Sequence, residues 1–149
     1  MITFDSGSVE ETHRLGRRLA GLLQPGDIVL LEGRLGSGKT LLVSGIADGL
    51  GVDETVTSPS FVLVHEYSGF LDIVHADLYR LGSVNEFEDL ELPTTASDGV
   101  LVVEWGGVVS GSVPDHLLVR IEITGETSRT LSFVPVGSWR SRSLEELSG

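Results

Sequence analysis

A chain of 149 residues with 40% hydrophobic content has the length for one domain that buries its own core without covalent staples. With no cysteine it has no thiolate metal site and no thiol nucleophile, and no apolar run approaches the ~20 residues that cross a bilayer. Ten basic against 22 acidic residues leave a net charge of −12, a surface that repels phosphate backbones and argues against direct, tight nucleic-acid binding.

In chain order, Ile2 to Phe4 predicts a short strand, and Ser8-Val9-Glu10-Glu11 is a capping box opening a helix to about Leu23. Gln24-Pro25-Gly26 is a turn, after which Ile28-Val29-Leu30-Leu31 reads as a buried central strand. A glycine-rich loop leads into a helix over Lys39 to Leu50, stopped by Gly51. Phe61 to Tyr67 and Phe70 to Ala76 are strand-like, with Ser68-Gly69 as a hairpin turn between them. Ser83-Val84-Asn85-Glu86 is a second capping box for a short helix to about Leu90. Val100 to Val103 is another buried strand, and Leu117 to Thr124 with Arg129 to Val134 form a late β pair. The tail from Ser138 is a short helix or a fraying end. Strands alternating with helices, plus antiparallel additions, predict an α/β sandwich around a mixed sheet, with residues 1–149 as one domain.

Gly33-Arg34-Leu35-Gly36-Ser37-Gly38-Lys39-Thr40 fits G-x-x-x-x-G-K-[ST] at every fixed position, between a strand and a helix. Glycines let the backbone turn its N–H groups inward as an anion nest, and the helix adds its positive end. Lys39, the only lysine among the 10 basic residues, is placed to reach the β- and γ-phosphates, and the Thr40 hydroxyl to sit on Mg²⁺. Asn-Lys-x-Asp, which reads guanine, is absent, so the ligand expected by elimination is ATP. Phosphoryl transfer also needs a carboxylate by the metal. Asp77 and Glu104 both end apolar strands, where α/β sheets build their sites; either can hold Mg²⁺ while the other orients the attacking water. Thr57-Ser58-Pro59-Ser60 has the hydroxyls of a γ-phosphate sensor or is an ordinary turn. His75 shares a side of its strand with Asp77 and reads as a packed or surface histidine sooner than a site residue; His13, His65 and His116 show no metal-ligand spacing. A stand-alone P-loop small-molecule kinase is the alternative, disfavoured because arginines are sparse and no lid-like insertion is visible.

Four segments in order carry a resemblance: the loop Gly33 to Thr40, Thr57-Ser58-Pro59-Ser60-Phe61, His75-Ala76-Asp77-Leu78-Tyr79-Arg80-Leu81, and Val103-Glu104-Trp105. With them the chain resembles the TsaE (YjeE) family, small ATPases of bacterial tRNA threonylcarbamoyladenosine synthesis. Arg34 stands where that family usually has an acidic residue, and Ser60 where threonine is common. The resemblance implies a P-loop NTPase-type three-layer sandwich that binds and hydrolyses ATP weakly, or only with its partners. It implies Mg²⁺ on Thr40 and Glu104, with Asp77 as the second essential acid. Gly33, Leu35, Gly36, Ser37, Gly38, Lys39 and Thr40 would hold nucleotide, joined by Thr57, Trp105 and Arg129. It also implies a cytoplasmic protein acting on a TsaB/TsaD-type threonylcarbamoyl-transfer complex, away from membranes and meeting tRNA only indirectly.

Overall fold

The computed structural model describes residues 1–57, 64–78 and 84–148. Seven strands form one mixed sheet: β1 (Ile2–Ser6), β2 (Ile28–Gly33), β3 (Val64–Tyr67), β4 (Ile73–Asp77), β5 (Val100–Glu104), β6 (His116–Ile123) and β7 (Arg129–Val136), in the order β1-β7-β6-β2-β5-β4-β3. The four central strands β6, β2, β5 and β4 run parallel, and β1, β7 and β3 are antiparallel additions at the edges. Every residue of β4 and β5 is buried, which explains why their sequences, His75 and the two terminal acids apart, are apolar without alternation.

Helices cover both faces. On one lie α1 (Val9–Ala20) and α2 (Lys39–Gly49), whose Leu15, Leu19, Leu42, Val43 and Ile46 pack on Val29, Leu31, Val100 and Val102. On the other lie α3 (Val84–Asp89), α4 (Leu92–Thr95) and a 3-10 segment over Gly106–Ser112, whose Phe87, Leu92 and Val109 pack on Leu30, Leu101 and Val103. The period-2 alternation of Val29, Leu30 and Leu31 thus divides the strand's apolar side chains between two cores. The molecule is a three-layer α/β sandwich of the P-loop NTPase type. None of the described helices is long and apolar enough to cross a membrane.

Several boundaries differ from the expected ones for physical reasons. Ser8 caps α1 by accepting from the Glu11 N–H, but the Glu11 carboxylate takes the N–H of Gly7 at 2.7 Å, so the reciprocal bond lies one residue early. The helix stops at Ala20, short of Leu23, because Leu22 and Leu23 turn into the core before Pro25. The Ser68-Gly69 hairpin turn is replaced by a longer connection. The Phe70 N–H bonds the Leu50 carbonyl at 2.6 Å and the chain rejoins the sheet only at Ile73, leaving Phe70 exposed. The four-residue helix α4 was not foreseen, and the second capping box begins at Ser83, outside the described residues.

The tail does not fray. Two 3-10 turns, Gly137–Ser141 and Leu144–Ser148, insert Trp139, Leu144 and Leu147 into the core beneath α1. Arg142 fixes them: its guanidinium makes a two-pronged bond to the buried Asp27 carboxylate and also donates to the Leu22 carbonyl, with its Cζ 4.0 Å from the Trp139 ring centroid. Truncating one partner strands a buried charge. Arg142→Ala is therefore expected to cost about 3 kcal/mol and to lower the thermal midpoint by about 10 °C in a melt followed by circular dichroism. An unchanged midpoint would show the tail to be dispensable.

Candidate functional site

The parallel strands end together, and the chain places its reactive side chains at their carboxyl ends. β2 runs out at Gly33 into the loop that opens α2. A side chain at Gly33 has no room: a Cβ there would meet the Ser37 hydroxyl at 2.5 Å and the Ile121 carbonyl at 2.8 Å. Gly38, the residue before the first helical turn, has φ +108°, a left-handed conformation that costs glycine nothing. No side chain caps α2, so its positive end faces the loop. The Ser37 hydroxyl is buried there with no partner among the described residues, while Leu35 projects from the loop tip, 87% exposed.

Lys39 is buried at the start of α2, its amine donating to the Gly33 and Arg34 carbonyls at 2.5 and 3.1 Å and lying 4.0 Å from the Trp105 ring centroid. Burial pulls its pKa below the ordinary 10.5, and the carboxylates of Glu104 and then Asp77 push back upward. Both acids sit there because Asp77 ends β4 and Glu104 ends β5 in direct parallel register. The Thr40 hydroxyl, one residue into α2, donates to the Glu104 carboxylate at 3.1 and 3.2 Å. Trp105 follows with φ +60°, a left-handed backbone uncommon for a large side chain; it turns the chain sharply off β5 beside the lysine.

Arg129, at the start of β7, braces the loop from outside, donating from Nε to the Ser37 carbonyl at 3.1 Å and from Nη2 to that of Gly36 at 3.2 Å. Its remaining nitrogen holds the Gly125 and Ser128 carbonyls of the β6–β7 connection. Thr57 is exposed, with its N–H directed to the Tyr67 hydroxyl at 3.4 Å. Ser58, Pro59, Ser60 and Phe61, and likewise Tyr79, Arg80 and Leu81, lie outside the described residues.

One residue was underrated from sequence. His75 is neither a surface nor a merely packed histidine: it is fully buried, and its Nε2 lies 2.6 Å from Glu104 Oε2. The sequence offered half of the signal, the two-residue spacing to Asp77; the pairing of β4 with β5 that brings Glu104 alongside is seen only in the structure.

The arrangement offers an anion nest, one buried cation, and two adjacent carboxylates with a hydroxyl. An oxyanion fits the nest, and a hard divalent ion fits the oxygen pair of Thr40 and Glu104. Among the described residues no cluster of three or more His, Asp or Glu could hold a metal alone.

Comparison with known proteins returns one consistent neighbourhood. Residues 6–131 match the family model described as threonylcarbamoyl adenosine biosynthesis protein TsaE. The tRNA threonylcarbamoyladenosine biosynthesis protein TsaE of Streptomyces coelicolor is 44% identical over 91% of this chain and 98% of its own. Its namesake in Bacillus subtilis is 38% identical over 93% and 89%. The crystal structure of Bacillus subtilis YdiB superposes with a TM-score of 0.79 at 31% identity, covering 99% of this chain and 93% of that one.

Proposed function

The chain belongs to the TsaE family of tRNA threonylcarbamoyladenosine biosynthesis, and from that premise we propose that it binds and slowly hydrolyses ATP with Mg²⁺ in service of a TsaB/TsaD-type threonylcarbamoyl-transfer complex. The observation that carries the reading is the convergence of Lys39, Thr40, Glu104 and Asp77 on the glycine-rich loop at the ends of β2, β5 and β4.

In this reading the loop from Gly33 to Thr40 holds the phosphates, and Lys39 exchanges its carbonyl partners for phosphate oxygens. Thr40 and Glu104 hold the magnesium ion, which supplies neutralisation of the charge on the transferred phosphoryl group. Asp77 orients the attacking water. Trp105 walls the site beside Lys39, Leu35 sits at the loop's mouth, and Arg129 keeps the Gly36 and Ser37 carbonyls turned outward so that the nest stays open. Thr57 leads the segment that responds to the γ-phosphate. The acidic surface suits a protein whose partners, and not itself, hold the tRNA. A cytoplasmic setting and a single functional domain complete the proposal.

The test is multiple-turnover threonylcarbamoyl transfer to tRNA, reconstituted from the partner proteins with and without this chain. Sustained transfer only with the chain supports the reading; identical reactions refute it. Asp77→Asn in the same assay is expected to lower ATP turnover about 100-fold while ATP affinity holds within about threefold. Parallel loss of affinity and turnover would mean that Asp77 positions nucleotide instead.

A further inference from the structure

The proposed chemistry leaves the buried His75 without a task. His75 is fully buried in the middle of β4, opposite Val102 of β5. Its Nδ1 finds no partner among the described residues. An aliphatic residue would fill this place without burying an unsatisfied nitrogen, and β4 and β5 are otherwise aliphatic there. What the histidine adds is one bond, from Nε2 to Glu104 Oε2 at 2.6 Å, where the carboxylate requires that Nε2 be the donor. The Tyr67 ring lies near it, with centroids 6.4 Å apart.

Thr40 cannot set the carboxylate's orientation by itself. Its hydroxyl lies 3.2 Å from Oε1 and 3.1 Å from Oε2, so it does not distinguish the two oxygens or fix their plane. His75 reaches Oε2 alone. We propose that His75 is a positioning residue: it pins Oε2 and thereby presents the Glu104 carboxylate in one orientation to the divalent cation. This rests on the function proposed above. It parallels the way buried second partners orient carboxylate and imidazole ligands in other metal sites.

Two substitutions separate orientation from packing. His75→Phe keeps a ring and removes the donor; His75→Gln removes the ring and keeps a donor near the position of Nε2. Calorimetric titration of ATP in EDTA, and across a magnesium series, reads nucleotide and metal affinity apart. His75→Phe is expected to raise the magnesium concentration for half-maximal ATP binding about tenfold, with ATP affinity in EDTA unchanged within about twofold. His75→Gln is expected to restore the magnesium response to within about threefold of wild type. A wild-type magnesium response in His75→Phe overturns the proposal, as does rescue by Phe and not Gln, or an equal loss in EDTA. If His75→Phe does not fold, His75→Leu takes its place as the donor-free variant: a weakened magnesium response supports the role and a wild-type one overturns it. A wild-type chain whose ATP binding ignores magnesium would overturn the function proposed above and this role with it.

Discussion

Lys39→Ala is expected to lower ATP turnover at least about 100-fold, the scale set by removing one preorganised charge from a developing anion, and to weaken ATP binding in the same protein. The structure gives the reason: the amine is buried in the nest, held by the Gly33 and Arg34 carbonyls, 4.0 Å from the Trp105 ring centroid, and no other lysine exists to replace it. The free protein should show a second, opposite effect. Burial lowers the folded-state pKa of Lys39 below 10.5, so the unfolded chain binds that proton more tightly than the folded one. Stability linked to this group therefore rises with pH from the folded pKa up to the unfolded one and is level below that window. Lys39→Ala removes this contribution, and its thermal midpoint should respond less to pH just below 10.5 than that of wild type. A variant that keeps full turnover would sink the assignment of the loop.

The loop was legible because its chemistry is local: residues consecutive in sequence supply the glycines, the amine and the hydroxyl, and strand and helix flank them. Asp77 and Glu104 were legible as a pair of strand ends, but their adjacency depends on β4 pairing with β5, a register that no sequence spacing states. The resemblance to a known family assigned the metal to Glu104; the structure adds the Thr40 bond to that carboxylate.

What escaped was long-range. The resemblance implied Arg129 as a nucleotide-site residue, but not its bonds to the loop backbone across more than ninety residues, and nothing announced that Arg142 reaches back to Asp27. From sequence the tail from Ser138 reads as a short helix or a fraying end, and it closes as two 3-10 turns. Trp139, Leu144 and Leu147 are apolar at a spacing that matches no long helix, so their burial under α1 follows from the three-dimensional gap they fill. The connection before β4 failed for a related reason: Ser68-Gly69 has turn chemistry, yet the backbone bond from Phe70 to Leu50 carries the chain past it before the sheet resumes.

Glu104→Gln should have an effect of similar size by a different route. The substitution keeps length and shape and lets the side-chain carbonyl still accept from Thr40 and His75, but it removes the charge that a hard divalent ion requires. Loss of a single outer partner of a metal ligand costs about 10- to 100-fold in metal affinity, and loss of a ligand's charge is expected to reach at least about 100-fold. ATP binding in EDTA should persist, because Lys39, the α2 terminus and the loop N–H groups remain and one negative charge facing the phosphates has gone. The same substitution should lower the Lys39 pKa further, since Glu104 is the larger of the two carboxylate influences holding it up. As the chain's sole lysine, Lys39 gives one labelled side-chain resonance to follow through a pH titration. A magnesium titration unchanged in Glu104→Gln would move the metal to Asp77 and leave Glu104 to orient water, so the two carboxylates would exchange roles at the same strand ends.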